Sequence, residues 1–194
     1  MKRYTLILFA ISSAITCWLG MMLVHECGHV LGAWATGGTV ERVVFYPTVF
    51  SRTDLGENPH PLVVAWAGPV FGAVVPLAAW GLARLFARRV VLLQMFAGWC
   101  LIANGLYIGA ASFLNIADAK EMMRHGSPGW VLWVFGVAAM VPGFWLWHKL
   151  GPRFGMRADN ADLRRGEVWV AAGLAIGLVV AGLVVFGRPP GEGW

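Results

Sequence analysis

Long apolar segments are the feature that most constrains how this chain can fold. From Tyr4 to Val24 the sequence has no charged residue, and a helix needs only about 20 predominantly apolar residues to cross a bilayer. The five predicted spans are Tyr4–Ala35, 61–83, 90–116, Trp130–Trp147 and Val168–Phe186. With 58% hydrophobic and 13% charged residues, the chain is predicted to be an all-α, multi-pass membrane protein with about five transmembrane helices.

The motif His25-Glu26-Cys27-Gly28-His29 lies near the end of the first predicted span. Residues four apart share one face of a helix, so His25 and His29 can direct two imidazole nitrogens at one divalent metal ion, with Glu26 beside them as a general base. The alternative is a pair of interfacial histidines that hydrogen-bond between helices, beside a snorkelling glutamate. Ionisable groups in a span are costly and mark functional sites. The motif therefore favours one bound zinc ion per chain.

The segment after the first span changes from helical to extended character. Gly37 and Gly38 end the helix, and residues 39–54 are rich in β-branched and aromatic side chains, interrupted by Pro47. We therefore expect a short β-hairpin, which would offer an unpaired edge to an extended peptide. The candidate substrate-binding residues are Val40, Val43, Val44 and Phe45 in this segment, and Asn104 in the third span.

The second and third spans carry residues that are unusual in hydrocarbon. Pro69 and Pro76 predict a kinked or locally unwound second helix. Asn104 has two interpretations, a hydrogen bond to another helix or a contact with the substrate backbone or an oxyanion.

A catalytic zinc site needs a third protein ligand. Spans one and three run in the same direction, so the end of the third span lies at the same membrane face as the motif. Asp118 follows that span, and it could instead cap a short helix, with Glu121 completing a capping box. The other candidate ligands at this face are Glu41, Asp54, Glu57, His60, Glu121 and His125.

With these residues the chain resembles the site-2 protease family of intramembrane zinc metallopeptidases, family M50. The likeness covers roughly residues 15–125. It consists of the HExGH helix, a glycine pair before a β segment, an Ala-Gly-Pro element at 67–69, and an Asp after the third helix. The chain departs from the family's NxxPxxxxDG pattern in two ways. Ala119 follows Asp118 in place of Gly, and neither Asn104 nor Asn115 stands at the expected offset, with no Pro between.

The resemblance implies both a domain organisation and an activity. Residues 1–125 would form a three-helix zinc-peptidase core, and residues 126–194 two further helices, a basic loop and a short tail. Zinc would be bound by His25, His29 and Asp118, with Glu26 as the base. The implied protein is an intramembrane zinc metalloendopeptidase that hydrolyses peptide bonds in or beside transmembrane segments of membrane proteins. The alternatives are a catalytically impaired pseudoprotease or membrane chaperone of the same fold, and a metal transporter or sensor.

The positive charges bear on partners and on orientation. The net charge is +5, but the basic residues lie in short loops rather than on one face, so we expect contacts with lipid headgroups and none with nucleic acid. With five spans, ten of the 15 Lys and Arg residues share the side of the N-terminus. The positive-inside rule then predicts a cytoplasmic N-terminus in a bacterial or archaeal cell membrane. The best-known members of the resembling family have their zinc site nearer the cytoplasm, which is the opposite orientation.

Overall fold

The computed structural model describes residues 3–87, 90–151 and 164–186. Within these residues the elements are α1 (Arg3–Ala35), β1 (Val40–Val44), β2 (Arg52–Leu55), α2 (Pro61–Phe86), α3 (Val91–Leu114), α4 (Ala117–Arg124), α5 (Gly129–His148) and α6 (Arg165–Val184). Every helix except α4 is long and apolar enough to cross a membrane. These five helices and the hairpin after the first agree with the predicted number of spans and with the predicted β segment, and they are compatible with a multi-pass membrane protein. Residues 152–163 of the predicted basic loop, which extends from Lys149 to Glu167, and the tail from residue 187 lie outside the described residues.

The sheet consists of two antiparallel strands. β1 pairs with β2 in a register that sets Val43 opposite Thr53 and Val44 opposite Arg52, with an irregularity between Val40 and Arg42. Directly opposite residues point to the same face of a sheet, and residues two apart along a strand do so as well. Val43 and Thr53 therefore share one sheet face. Thr53 and Ser51, which immediately precedes β2, both contact Glu26 of α1.

Helix α2 continues through Pro69 and Pro76, so of the two expected effects, a kink or local unwinding, the structure does not show the unwinding. Each proline lacks an N–H and frees the carbonyl four residues before it, which here belongs to Ala65 or Gly72. Helices in membrane proteins tolerate such losses when neighbouring elements and small local adjustments satisfy the freed groups. Both prolines are buried against the rest of the bundle.

Helices α3 and α5 approach each other through glycines. A Cβ atom built on Gly105 would lie 2.7 Å from the carbonyl oxygen of Gly136, and one built on Gly136 would lie 2.9 Å from that of Gly105. Helices in membranes associate closely where small residues face each other. Asn104 directly precedes Gly105, so this contact fixes the part of α3 that carries Asn104.

The starts of α1, α3 and α6 lie together at one end of the bundle. Phe9, Val91 and Val168 form a buried cluster there with Leu150 and Ala171. At the other end, Phe45 of the hairpin packs with α1 and stacks edge-on with Phe186, which follows α6. Helices α1 and α3 therefore run in the same direction, as predicted, and their C-terminal ends lie at the end of the bundle that carries the hairpin.

The chain reverses between α3 and α4 through two residues in the left-handed region. Asn115 has φ 53° and Ala117 has φ 52°, and a residue with a Cβ atom adopts this region at a cost of about 1 kcal/mol. The residue at the N-cap of α4 is Ile116, without a side-chain capping bond, and Asp118 lies inside the first turn. The interpretation of Asp118 as a helix cap is therefore wrong, because the helix begins before it and its carboxylate points to α1.

Candidate metal centre

Three potential metal-ligand atoms converge between α1 and the start of α4. The distance between His25 Nε2 and Asp118 Oδ2 is 3.0 Å, that between His25 Nε2 and His29 Nε2 is 3.0 Å, and that between His29 Nε2 and Asp118 Oδ2 is 3.4 Å. Tetrahedral zinc with bonds of 2.0–2.1 Å separates its ligand atoms by about 3.3 Å. Among the described residues these side chains form a group that can hold a metal ion.

The carbonyl of Val64 orients the ring of His29. His29 Nδ1 donates a hydrogen bond of 2.8 Å to this carbonyl, which belongs to the first turn of α2. A carbonyl can only accept, so the proton of the neutral ring is on Nδ1 and the lone pair is on Nε2. Such a bond to the second ring nitrogen is how histidine ligands are commonly held in metal sites.

Asn104 orients His25 in the same way. Its Nδ2 donates to the carbonyl of Cys100 at 2.8 Å, which fixes the direction of the amide and turns Oδ1 toward His25. His25 Nδ1 donates to this Oδ1 at 2.7 Å. Asn104 is 1% exposed, and both of its side-chain polar atoms have partners inside the chain. Asn104 therefore makes a hydrogen bond to another helix, which is the first of its two interpretations, and its side-chain polar atoms are used within the chain.

Three lone pairs consequently face one another at the centre of the site. Lone pairs this close repel each other unless a cation lies between them. A proton on one ring can bridge two of the atoms, whereas a metal ion satisfies all three. Metal ligands bind with free lone pairs, the carboxylate as an anion and each histidine as a neutral ring, and the hydrogen bonds of both Nδ1 atoms favour this state of the rings.

The Ala-Gly-Pro element of α2 lets that helix lie against the metal site. A Cβ atom on Gly68 would be 2.3 Å from His29 Nε2. On the opposite helix, a Cβ atom on Gly28 would be 2.5 Å from the carbonyl oxygen of Ala67. Real Cβ atoms do not approach other atoms so closely, so both positions require glycine. The spacing of the motif glycine and of the Ala-Gly-Pro element thus has a steric cause.

The carboxylate of Glu26 lies between α1 and the hairpin. Ser51 Oγ donates to its Oε1 at 2.7 Å, and Thr53 Oγ1 donates to its Oε2 at 2.6 Å. Glu26 is 3% exposed. The strand that contacts the expected base is therefore β2, although the sequence had drawn attention to β1.

The four hairpin residues proposed to bind substrate are in different environments. Val44 and Phe45 are buried, and Phe45 is covered by Phe186. Val40 and Val43 are partly exposed. In the described part of the chain the sheet has two strands, so β1 keeps one edge without a strand partner. The backbone of β1 thus has a free strand edge, whereas the side chain of Phe45 is covered.

The other candidates for the third ligand lie elsewhere. Asp54 receives hydrogen bonds from Arg42 at 2.8 Å and from Arg52 at 3.1 Å. Burial would raise the pKa of Asp54, but these two bonds outweigh it and lower the pKa. Glu121 contacts two basic side chains of its own helix end, with 3.4 Å between its Oε2 and His125 Nε2 and 3.7 Å between its Oε1 and Arg124 Nη1. The remaining candidates, Glu41, Glu57 and His60, are outside the three-residue group.

Three side chains of the site were not predicted from the sequence. Ser51 and Thr53 have the period-2 spacing of one strand face, which is a weak signal. Tyr107 packs its ring edge-on against His25, with the centroids 5.8 Å apart. It is three residues after Asn104 in α3, so helical periodicity could have placed it on the same face.

No protein-family model, curated protein or solved structure matches this chain. The functional conclusion therefore depends on the site residues and their geometry.

The packing of α2 on His29 generates a test of the metal site. Gly68→Ala should displace the His29 ring and weaken zinc binding by about 10- to 100-fold, the effect that loss of a supporting contact usually has. Gly81→Ala is the matched control, because it lies in the same helix and a Cβ atom there meets no atom within 4 Å. Zinc content of the purified variants is the measurement. Equal zinc in the two variants would contradict the described contact.

Proposed function

We propose that this chain is an intramembrane zinc metalloendopeptidase that hydrolyses peptide bonds in or beside transmembrane segments of other membrane proteins. One observation carries the proposal. His25 Nε2, His29 Nε2 and Asp118 Oδ2 converge within 3.4 Å of one another. Glu26, which follows His25 in α1, is a buried carboxylate. The proposal agrees with the resemblance to the site-2 protease family.

The donor set fits zinc. Two imidazole nitrogens and one carboxylate are typical of catalytic zinc sites, in which the fourth position stays open. Zinc held by these residues would polarise the scissile carbonyl and lower the pKa of a bound water toward 7. His25 donates a hydrogen bond to Asn104, and His29 donates one to the Val64 carbonyl. These two bonds would keep both rings in the orientation that the ion requires.

The chain's own residues would carry the proton transfer. Glu26 would accept a proton from the attacking water and deliver it to the leaving amine. Its neighbours exclude most bulk water, since Glu26, His25 and His29 are all less than 9% exposed. A base in such surroundings exchanges protons with the substrate rather than with solvent.

The apolar surroundings favour a transmembrane substrate. Helix α1 has 33 residues, and the motif lies within its last three turns, next to a span-length apolar segment. A peptide bond inside a helix is shielded, so the substrate must become extended before cleavage. An edge of the hairpin would hold it in that form by strand addition.

A peptidase explains this arrangement better than a metal transporter does. A transport path needs polar or ionisable groups along the length of several spans. Among the described residues, the ligand group lies at the hairpin end of the bundle. We assign the proposed catalytic core to residues 1–125, with α5 supporting α3 and α6 supporting α1 and the hairpin.

Glu26→Gln separates the roles of the motif residues. The variant should keep its zinc, because both histidines remain, and lose about 10²- to 10⁴-fold in cleavage rate, the contribution of a general base. His25→Ala should lose both zinc and cleavage. The assay uses liposomes that contain the protein and a set of single-span model proteins tagged at both ends, and it detects separation of the tags.

Glu121→Gln is the control for removal of a carboxylate, and it should cleave like the wild type. Full activity in Glu26→Gln would exclude the proposed mechanism. A wild-type protein that binds zinc but cleaves none of the model proteins would favour the non-cutting alternative of the same fold.

The charge bias also predicts the side on which the site opens. With the N-terminus in the cytoplasm, the hairpin and the metal site face the other side of the membrane. After Cys27→Ala, a cysteine at the exposed Glu57 should react with an impermeant thiol reagent in intact cells, and one at the exposed Ala87 should not. The reverse labelling pattern would place the site on the cytoplasmic side.

A further inference from the structure

The Glu26 carboxylate is held by the hairpin and not by the helix that carries it. Ser51 and Thr53 each donate a hydroxyl proton to one of its oxygens, at 2.7 and 2.6 Å. Thr53 belongs to β2 and Ser51 immediately precedes that strand, so both donors come from the same short stretch of the hairpin. A buried carboxylate is costly without such donors.

The lengths of these two bonds indicate strong, charge-assisted contacts. Hydroxyl-to-carboxylate bonds are typically 2.5–2.7 Å long and are about twice as strong as bonds between neutral groups. Two such bonds, one to each oxygen, fix both the position of the carboxylate and the rotation of its plane. A single bond would leave that rotation free.

The two hydroxyls leave acceptor sites of the Glu26 carboxylate unused. A carboxylate has about four acceptor sites, two on each oxygen. Ser51 and Thr53 use one site on each oxygen, so one site on each remains for the attacking water and later for the leaving amine. The hairpin can therefore stay in contact with Glu26 while the base works.

We propose that Ser51 and Thr53 are positioning residues that hold the Glu26 base at the metal site through strand β2. This rests on the proposed peptidase function and adds a second role for the hairpin. The sheet that would receive the extended substrate also fixes the base, because β1 pairs directly with β2 and Val43 lies opposite Thr53. Substrate and base are thereby aligned by the same element.

Isosteric substitutions test the proposal. Thr53→Val removes the hydroxyl with little change of shape, and Ser51→Ala removes the other. Each should lower kcat by about 10-fold and the double variant by on the order of 100-fold, the loss that misplacement of a catalytic group by about 1 Å causes. KM on the tagged single-span model proteins and zinc content should stay as in the wild type, since neither hydroxyl contacts a ligand atom.

Conservative variants and a matched control distinguish positioning from a merely structural contact. Thr53→Ser keeps the hydroxyl and should restore most of kcat. Thr48→Val makes the same chemical change at an exposed position of the same hairpin and should have no effect. A Thr53→Val variant with a raised KM and unchanged kcat would overturn the proposal in favour of a role in anchoring the hairpin. A higher rate in that variant would overturn it in favour of a latch that restrains the base.

Thermal unfolding tests the contact without any cleavage. The decreases in Tm caused by Thr53→Val and by Glu26→Ala should not add in the double variant, because both remove the same bond. Additive decreases would overturn the proposal whatever the activity. If the decreases in Tm are not additive but the protein cleaves none of the model proteins, the contact is retained and the peptidase function is rejected. Failure of the contact and failure of the peptidase function therefore give different results.

Discussion

Three lone pairs that face one another across a gap of 3.0–3.4 Å are the constraint on which the rest of the structure depends. They come from two residues of α1 and one residue of α4, which are separated by more than 85 positions along the chain. Such an arrangement is unfavourable without a cation, and it persists only if the surrounding structure determines it. The supporting contacts are consistent with this. A backbone carbonyl holds one ring, a buried amide holds the other, and a left-handed turn directs the carboxylate back toward α1.

Glycines at the helix contacts are as important to the site as the side chains that form it. At Gly28 and Gly68, the backbones of α1 and α2 approach so closely that a methyl group would meet a carbonyl oxygen or a ligand ring. The glycine contact between α3 and α5 supports the site indirectly, because it fixes the helix that carries Asn104, the hydrogen-bond partner of His25. Close packing of this kind is available in membranes where small residues face each other. The relative positions of the three candidate ligand atoms therefore depend on helix packing as much as on the residues that carry them.

The features that follow from local periodicity could be predicted from the sequence. The five spans and the pair His25 and His29 depend only on composition and helical spacing, and the hairpin depends on β-branched residues between breakers. Asp118 was harder, because a helix cap and a candidate metal ligand use the same local pattern and only the fold separates them. Of the kink or unwinding expected at Pro69 and Pro76, the structure does not show the unwinding, since the bundle tolerates prolines in a continuous helix. The contacts of Ser51 and Thr53 with Glu26 require the hairpin to dock on α1, which no local pattern specifies.

The central claim is that His25, His29 and Asp118 form one zinc site, and the most direct test is the metal content of purified variants of Asp118 and Glu121. Both residues are acidic and both belong to α4, but only Asp118 contacts the histidines. Wild type and Glu121→Ala should each contain about one zinc ion per chain, the content of a single four-coordinate site, whereas Asp118→Ala should contain much less. Equal zinc content in the two variants would contradict the account, because Asp118 would then not be a ligand.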